Sequence, residues 1–134
     1  MPDDSDASEV AHEWLRRARS SLAHAKQVKP SAVVWEDLCF DAQQAVEKAM
    51  KGVLVASRVE FPKTHDVALL LRLLERTGRP VPDDLVTARD LTDYAFETRY
   101  PGDYPQVTED DYRKAVKIAE LVVRWAEEII TGKK

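Results

Sequence analysis

Residues 38–56, LCFDAQQAVEKAMKGVLVA, decide the fold of this chain. The stretch is long enough for about five turns of α-helix. Its small and apolar side chains share one face of a helical wheel: Leu38, Cys39, Ala42, Ala45, Val46, Ala49, Met50, Val53 and Ala56. Because an alanine side chain ends at Cβ, a neighbouring helix can approach closely along this face. The pattern therefore predicts a buried central helix with at least one close partner.

The opposite face of this helix is polar, with Gln43, Gln44, Glu47, Lys48 and Lys51. Phe40 and Val55 lie among these polar residues. One interpretation is that Phe40 is an isolated exposed or half-buried ring, since scattered apolar residues are normal on protein surfaces. The other is that a second subunit or another protein covers this face.

The composition is that of a single water-soluble globular domain. The chain has 134 residues, of which 44% are hydrophobic and 33% charged, and a domain of this size needs no disulfide or metal to be stable. The formal net charge is −4, so no global positive field attracts nucleic acid and any RNA contact must be local. The single cysteine, Cys39, excludes an intrachain disulfide and is expected to be a buried small hydrophobic residue.

The sequence shows no targeting signal. The first residues, MPDDSDASE, are acidic and lack the hydrophobic run of a signal peptide. No apolar run approaches the roughly 20 residues that a membrane-spanning helix requires. We therefore expect a cytoplasmic protein.

The first two helices are predicted from their apolar periodicity. Residues 1–7 form a polar tail that we expect to be disordered, and an amphipathic helix follows over residues 8–28. It ends there because Pro30 disfavours helical geometry in the residue before it. The central helix extends over about residues 33–59 and is ended by Pro62.

Two further helices are predicted in the middle of the chain. Thr64 is placed to cap a leucine-rich third helix, which ends at Gly78. A fourth helix begins at Asp83 or Asp84, whose carboxylates favour the positive end of the helix dipole. That helix is expected to end near Thr98.

A loop and a last helix complete the chain. Residues 97–107, ETRYPGDYPQV, contain Pro101 and Pro105, which fix two φ angles and predict an ordered loop. Thr108 and Asp111 resemble a capping box, with aspartate at the position usually held by glutamate. The wide apolar face of this last helix indicates a further contact, such as a second subunit.

Three segments resemble the HEPN domain (higher eukaryotes and prokaryotes nucleotide-binding). They are FDAQQAVEKAMKGVL at residues 40–54, FPKTHDVALLL at residues 61–71 and RYPGDYPQVTEDDYRKAVKIAE at residues 99–120. They agree with the family in order and spacing, and the resemblance extends over roughly residues 9–130.

The resemblance implies an all-α, HEPN-type antiparallel bundle of four longer helices and one shorter helix. The domain would occupy residues 8–131, with a short tail at residues 132–134. Such domains are usually dimeric and are commonly paired with a minimal nucleotidyltransferase. Many members are RNA-cleaving toxins.

HEPN ribonucleases share a motif in which a histidine follows an arginine after four to six residues. Arg99 matches the arginine, but the corresponding positions hold Tyr104, Pro105 and Gln106. In a branch with the histidine, a tyrosine follows two places later, where this chain has Gln106. Tyr100 or Tyr104 could replace that tyrosine only through proximity.

The missing histidine matters for the chemistry. Metal-independent RNA cleavage needs one group to take the 2′-hydroxyl proton and another to stabilise the charged phosphorane, and histidine suits the first task. Arg99 could bind a phosphate through its guanidinium fork. A tyrosine such as Tyr104 is a poor base at pH 7, because the ordinary tyrosine pKa is about 10.

The chain's three histidines suggest no metal site. His12 and His24 lie on the polar side of the first helix and are too far apart around it to chelate. His65 matches a histidine that recurs in the family, either as a structural residue or as a ligand or base. The sequence has no HExxH, no CxxC and no glycine-rich phosphate loop. We expect no metal and no cofactor.

Three functions stay open. The first is the partner subunit of a minimal nucleotidyltransferase in a toxin–antitoxin-like pair, with nucleotide or RNA contact at the RYPGDY loop. The second is an endoribonuclease toxin that uses Arg99 with Tyr104 or His65. The third is a stand-alone nucleotide- or RNA-binding module. The candidate catalytic residues are Arg99 and Tyr104, and the candidate contact residues are Lys48, Lys51, His65, Arg99, Tyr100 and Asp103.

Overall fold

The computed structural model describes residues 4–94 and 106–132, and within these ranges the regular structure is entirely helical. Four α-helices and one 3₁₀ helix follow one another: α1 (Asp4–Ala25), α2 (Trp35–Ala56), α3 (Val67–Glu75), the 3₁₀ helix (Asp83–Tyr94) and α4 (Glu109–Thr131). The predicted all-α fold is confirmed.

Helix α2 lies at the centre of the bundle and packs against each of the other four helices. Its alanine row is fully buried at Ala42, Ala45 and Ala49. Gly52 extends the row, because a Cβ added there would meet Cδ1 of Ile130 at 3.0 Å and Cβ of Trp14 at 3.1 Å. The close approach that the sequence predicts is therefore made by α1 on one side and α4 on the other.

The ends of α1 and α2 differ from the prediction. Helix α1 begins at Asp4, inside the predicted tail, and ends at Ala25. Helix α2 ends at Ala56, before Phe61 and Pro62, because Arg58 adopts a left-handed conformation with φ of 59°. The Val59 amide then donates to the Leu54 carbonyl at 2.9 Å. This hydrogen bond closes the helix in a Schellman turn.

The caps of α3 and α4 give one wrong and one confirmed prediction. Asp66, and not Thr64, caps α3 by accepting from the Leu69 amide at 3.3 Å. The Thr64 hydroxyl instead accepts from the Asp66 amide at 3.0 Å and shapes the approach to the helix. Thr108 and Asp111 form the predicted reciprocal capping box at the start of α4, with both bonds at 3.1 Å.

The predicted fourth helix is a 3₁₀ helix, and its expected end at Thr98 lies outside the described residues. Cys39 is buried, as expected. No helix in the described ranges is long and apolar enough to cross a membrane.

The polar face of α2 departs furthest from the prediction. Gln43, Glu47 and Lys51 are all buried within the chain. They need no second subunit to cover them, because the segment between α2 and α3 lies against them and His65 contacts Glu47. Phe40 and Val55 are half-buried.

Candidate functional site

The candidate site is centred on the carboxylate of Glu47, whose side chain is only 3% exposed. The Lys51 ammonium lies 2.6 Å from one carboxylate oxygen. The Nδ1 atom of His65 lies 2.9 and 3.0 Å from the two oxygens. The side-chain amides of Gln43 and Gln44 donate to the same carboxylate at 3.1 and 3.3 Å. We call these five residues the Glu47 cluster.

Two pieces of local structure assemble the Glu47 cluster. Gln43, Glu47 and Lys51 are spaced four residues apart on α2, so their side chains follow one another along a single face of the helix. His65 comes from the segment before α3 and is held there in two ways. Gln43 donates to its backbone carbonyl at 3.4 Å, and the next residue, Asp66, caps α3.

Aromatic rings enclose the ammonium side of the cluster. The Lys51 Nζ atom lies 5.5 Å from the ring centre of Trp14 and 6.0 Å from that of Phe61. A cation over an aromatic face gains electrostatic stabilisation that grows as water is removed. A buried ion pair is costly unless its hydrogen bonds are satisfied, and the Gln43 and Gln44 amides help to satisfy them here.

His65 is the exposed member of the cluster, with 57% of its side chain accessible. An ionised carboxylate only accepts hydrogen bonds, so the contact with Glu47 assigns the proton to Nδ1 of His65. In the neutral ring, the Nε2 atom then carries a lone pair that can accept a hydrogen bond from another molecule. A carboxylate that fixes the tautomer of a histidine is the arrangement that general acid–base chemistry uses.

A model of the HEPN domain matches residues 11–129. The chain belongs to the HEPN domain family. No curated protein matched the chain in a sequence comparison.

Solved structures support the same assignment. TT1696 from Thermus thermophilus is 31% identical to this HEPN chain, with a TM-score of 0.58, and the match covers 96% of this chain and 99% of that one. ST0689, an archaeal HEPN homologue, is 26% identical with a TM-score of 0.56, over 97% of this chain and 99% of that one.

The structure of this HEPN domain brings some predicted site residues together and separates others. Lys51 and His65 meet at Glu47. Lys48 points elsewhere, toward α1, where its ammonium donates to the Ser21 hydroxyl at 2.9 Å. The remaining candidates lie outside the described residues: Arg99, Tyr100, Asp103 and Tyr104.

Sequence reasoning missed Glu47, which organises the cluster. A signal for it was present, because Gln43, Glu47 and Lys51 border the Met50 edge of the apolar stripe and repeat every four residues. A helical wheel cannot show whether the chain folds back over that border. Among the described residues, no three His, Cys, Asp or Glu side chains gather in a group that could hold a metal ion.

Proposed function

We propose that this HEPN chain is the partner subunit of a minimal nucleotidyltransferase in a toxin–antitoxin-like pair, acting in the cytoplasm as a homodimer. One observation carries the proposal: no histidine follows Arg99 at the spacing of the family's ribonuclease motif. Without this histidine, a HEPN subunit is less well equipped to cleave RNA independently. Membership of the family over residues 11–129 supports the association.

In this proposal the subunit contacts nucleotide or RNA at the RYPGDY loop, residues 99–104. His65 is the contact residue best supported by its exposure, since its Nε2 atom can accept a hydrogen bond from a hydroxyl group. Lys51 is 9% exposed and paired with Glu47, so it acts by setting the charge behind His65. Lys48 would contribute at the α1 side of α2.

Co-expression tests the partnership. The chain would be produced with each tagged minimal nucleotidyltransferase of its source genome, purified on the tag and run on a sizing column at micromolar concentration. Co-elution in a fixed ratio is the expected result. Separate elution of the two proteins in every combination would contradict the proposal.

A metal-independent ribonuclease is the second candidate, and the Glu47–His65 contact favours it. A histidine oriented through Nδ1 by a buried carboxylate is equipped to take a 2′-hydroxyl proton at Nε2. His65 would then replace the histidine that is missing after Arg99, while Arg99 would bind the scissile phosphate.

Cleavage of a mixed RNA pool in the presence of a chelator tests this candidate. His65→Ala and Arg99→Ala should each lower the rate by at least about 100-fold, the usual scale of general acid–base catalysis. His12→Ala is the matched control, because the His12 ring is hydrogen-bonded to Ser8 of its own helix. RNA cleavage at an unchanged rate by both His65→Ala and Arg99→Ala would exclude the mechanism.

A further inference from the structure

A second polar site lies on the other flank of α2, in an open groove of about 450 Å³ between α1 and α2. The groove is lined by Ser20, Ser21, Ala23, His24, Gln27 and Asp41. Its volume is within the range of small-molecule sites. No residue of the Glu47 cluster lines it.

Charged groups in and beside the groove are arranged around Asp41. The Nδ1 atom of His24 lies 2.7 Å from a carboxylate oxygen of Asp41. Lys48 stands next to the groove, with its ammonium 2.9 Å from the Ser21 hydroxyl. Asp37 and Lys48 also act on Asp41 through space, with opposite signs.

The surroundings of Asp41 disfavour its charged form. Its pKa is raised above the ordinary value of 3.8, chiefly because burial disfavours the charged form, and the His24 hydrogen bond offsets this only in part. Ionisation of Asp41 is therefore less favourable in the folded chain than in the unfolded chain. Charged side chains that lower the stability of the fold are common at functional sites.

The hydrogen-bonding groups of the groove are of two kinds. The remaining Lys48 protons and the serine hydroxyls can donate to an oxyanion, since Ser21 accepts from Lys48 and keeps its own proton. Asp41 and the Gln27 carbonyl can accept from hydroxyl groups. A bare phosphate would meet repulsion from Asp41, whereas a ligand with hydroxyls beside its phosphate would satisfy both kinds of group.

We infer that the α1–α2 groove is a binding site for a phosphorylated sugar, with the phosphate at Lys48 and Ser21 and the sugar hydroxyls at Asp41 and Gln27. The site is separate from the Glu47 cluster and does not depend on the proposed function.

Titration by two-dimensional amide NMR with ribose 5-phosphate, ribose and inorganic phosphate tests the inference. Ribose 5-phosphate should shift the amide signals of residues 20–27 and 41 in a saturable way. It should bind at least about tenfold more tightly than ribose or inorganic phosphate alone. Lys48→Met should weaken it by about tenfold. Lys26→Met is the control, since Lys26 follows the end of α1 directly and pairs with Glu120 on α4.

Asp41→Ala gives the most specific result. It should abolish the preference for ribose 5-phosphate over inorganic phosphate, because it removes both the hydroxyl acceptor and the repulsion. Three results would each overturn the inference. The first is a preference for ribose 5-phosphate that is retained in this variant, and the second is signal shifts confined to other residues. The third is binding that does not saturate by 20 mM, roughly the weakest affinity worth assigning to a site. A 5′-phosphorylated RNA, titrated in parallel, distinguishes a free sugar phosphate from an RNA end as the source of the ligand.

Discussion

The two carboxylate–histidine pairs on α2 have the same chemistry and different depths. Glu47 is 3% exposed and meets Lys51 and two amides as well as its histidine. Asp41 is 20% exposed and bonds to His24 at the rim of a groove. Both histidines present more than half of their side chain to solvent. The difference teaches that a polar group can be part of the core at one flank of a helix and line an open groove at the other.

The largest expected effect is the loss of Glu47. Glu47→Ala leaves the Lys51 ammonium buried without its carboxylate, which should lower the free energy of unfolding by about 3–5 kcal/mol. Asp41→Ala removes a half-exposed pair and should cost no more than about 1 kcal/mol. Urea denaturation followed by circular dichroism measures both. Equal losses of unfolding free energy in the two variants would show that the different burial of the two pairs does not change their contribution to stability.

A double-mutant cycle sharpens the same point. Glu47→Gln and Lys51→Met together should be less destabilising than the sum of the single changes by about 2–3 kcal/mol, because each single change leaves the other charge unpaired. Lys48→Met is the control for Lys51→Met. Its ammonium bonds to Ser21, so combination with Glu47→Gln should be additive to within about 0.5 kcal/mol.

The histidines themselves should contribute little to stability. His65→Gln and His24→Gln should each change the free energy of unfolding by less than about 1 kcal/mol, since both side chains are largely exposed. Long-range ¹⁵N NMR should show the proton of His65 on Nδ1 and a mixture of tautomers in Glu47→Gln. An Nε2-protonated His65 in the unaltered protein would contradict the geometry of the Glu47 cluster.

The smallest effect is a difference in pH dependence. Because the pKa of Asp41 is raised, its contribution to stability falls as the pH rises from 3.8 through the raised pKa, and Asp41→Asn should remove this fall. Asp111 has the opposite sign: hydrogen bonds from Thr108 lower its pKa, so its stabilisation is present above pH 3.8 and is lost below it. Thermal melts between about pH 3 and 7 compare each variant with the unaltered chain.

Local sequence signals predicted the helices better than their ends. The apolar stripe of residues 38–56 and the Thr108 capping box are visible in the sequence, because both depend on neighbours within one helical turn. The end of α2 was misplaced because Arg58 adopts a left-handed conformation that usually favours glycine. The capping residue of α3 was misplaced by two positions because the Thr64 hydroxyl accepts from the Asp66 amide, whereas the Asp66 carboxylate accepts from the Leu69 amide in the first turn of the helix.

The candidate site could be predicted only in part. His65 and Lys51 were identified by family resemblance, and the structure shows that they share Glu47. The motif segment around Arg99 lies outside the described residues, so its relation to His65 stays a prediction. Asp41 and His24 carry no sequence signal for one another, since 17 residues separate them.

The sequence by itself determined an all-α chain with α2 at its centre, because hydrophobic periodicity is a property of one helix at a time. The HEPN assignment rested on the resemblance of three segments to the family. Only the tertiary structure decided which polar residues of α2 are buried. Gln43, Glu47 and Lys51 enter the interior because the segment before α3 folds over them, and Asp41 meets His24 because α1 crosses α2 at that height. These contacts join residues distant in the chain, and their formation depends on how helices pack and not on the periodicity of any one of them.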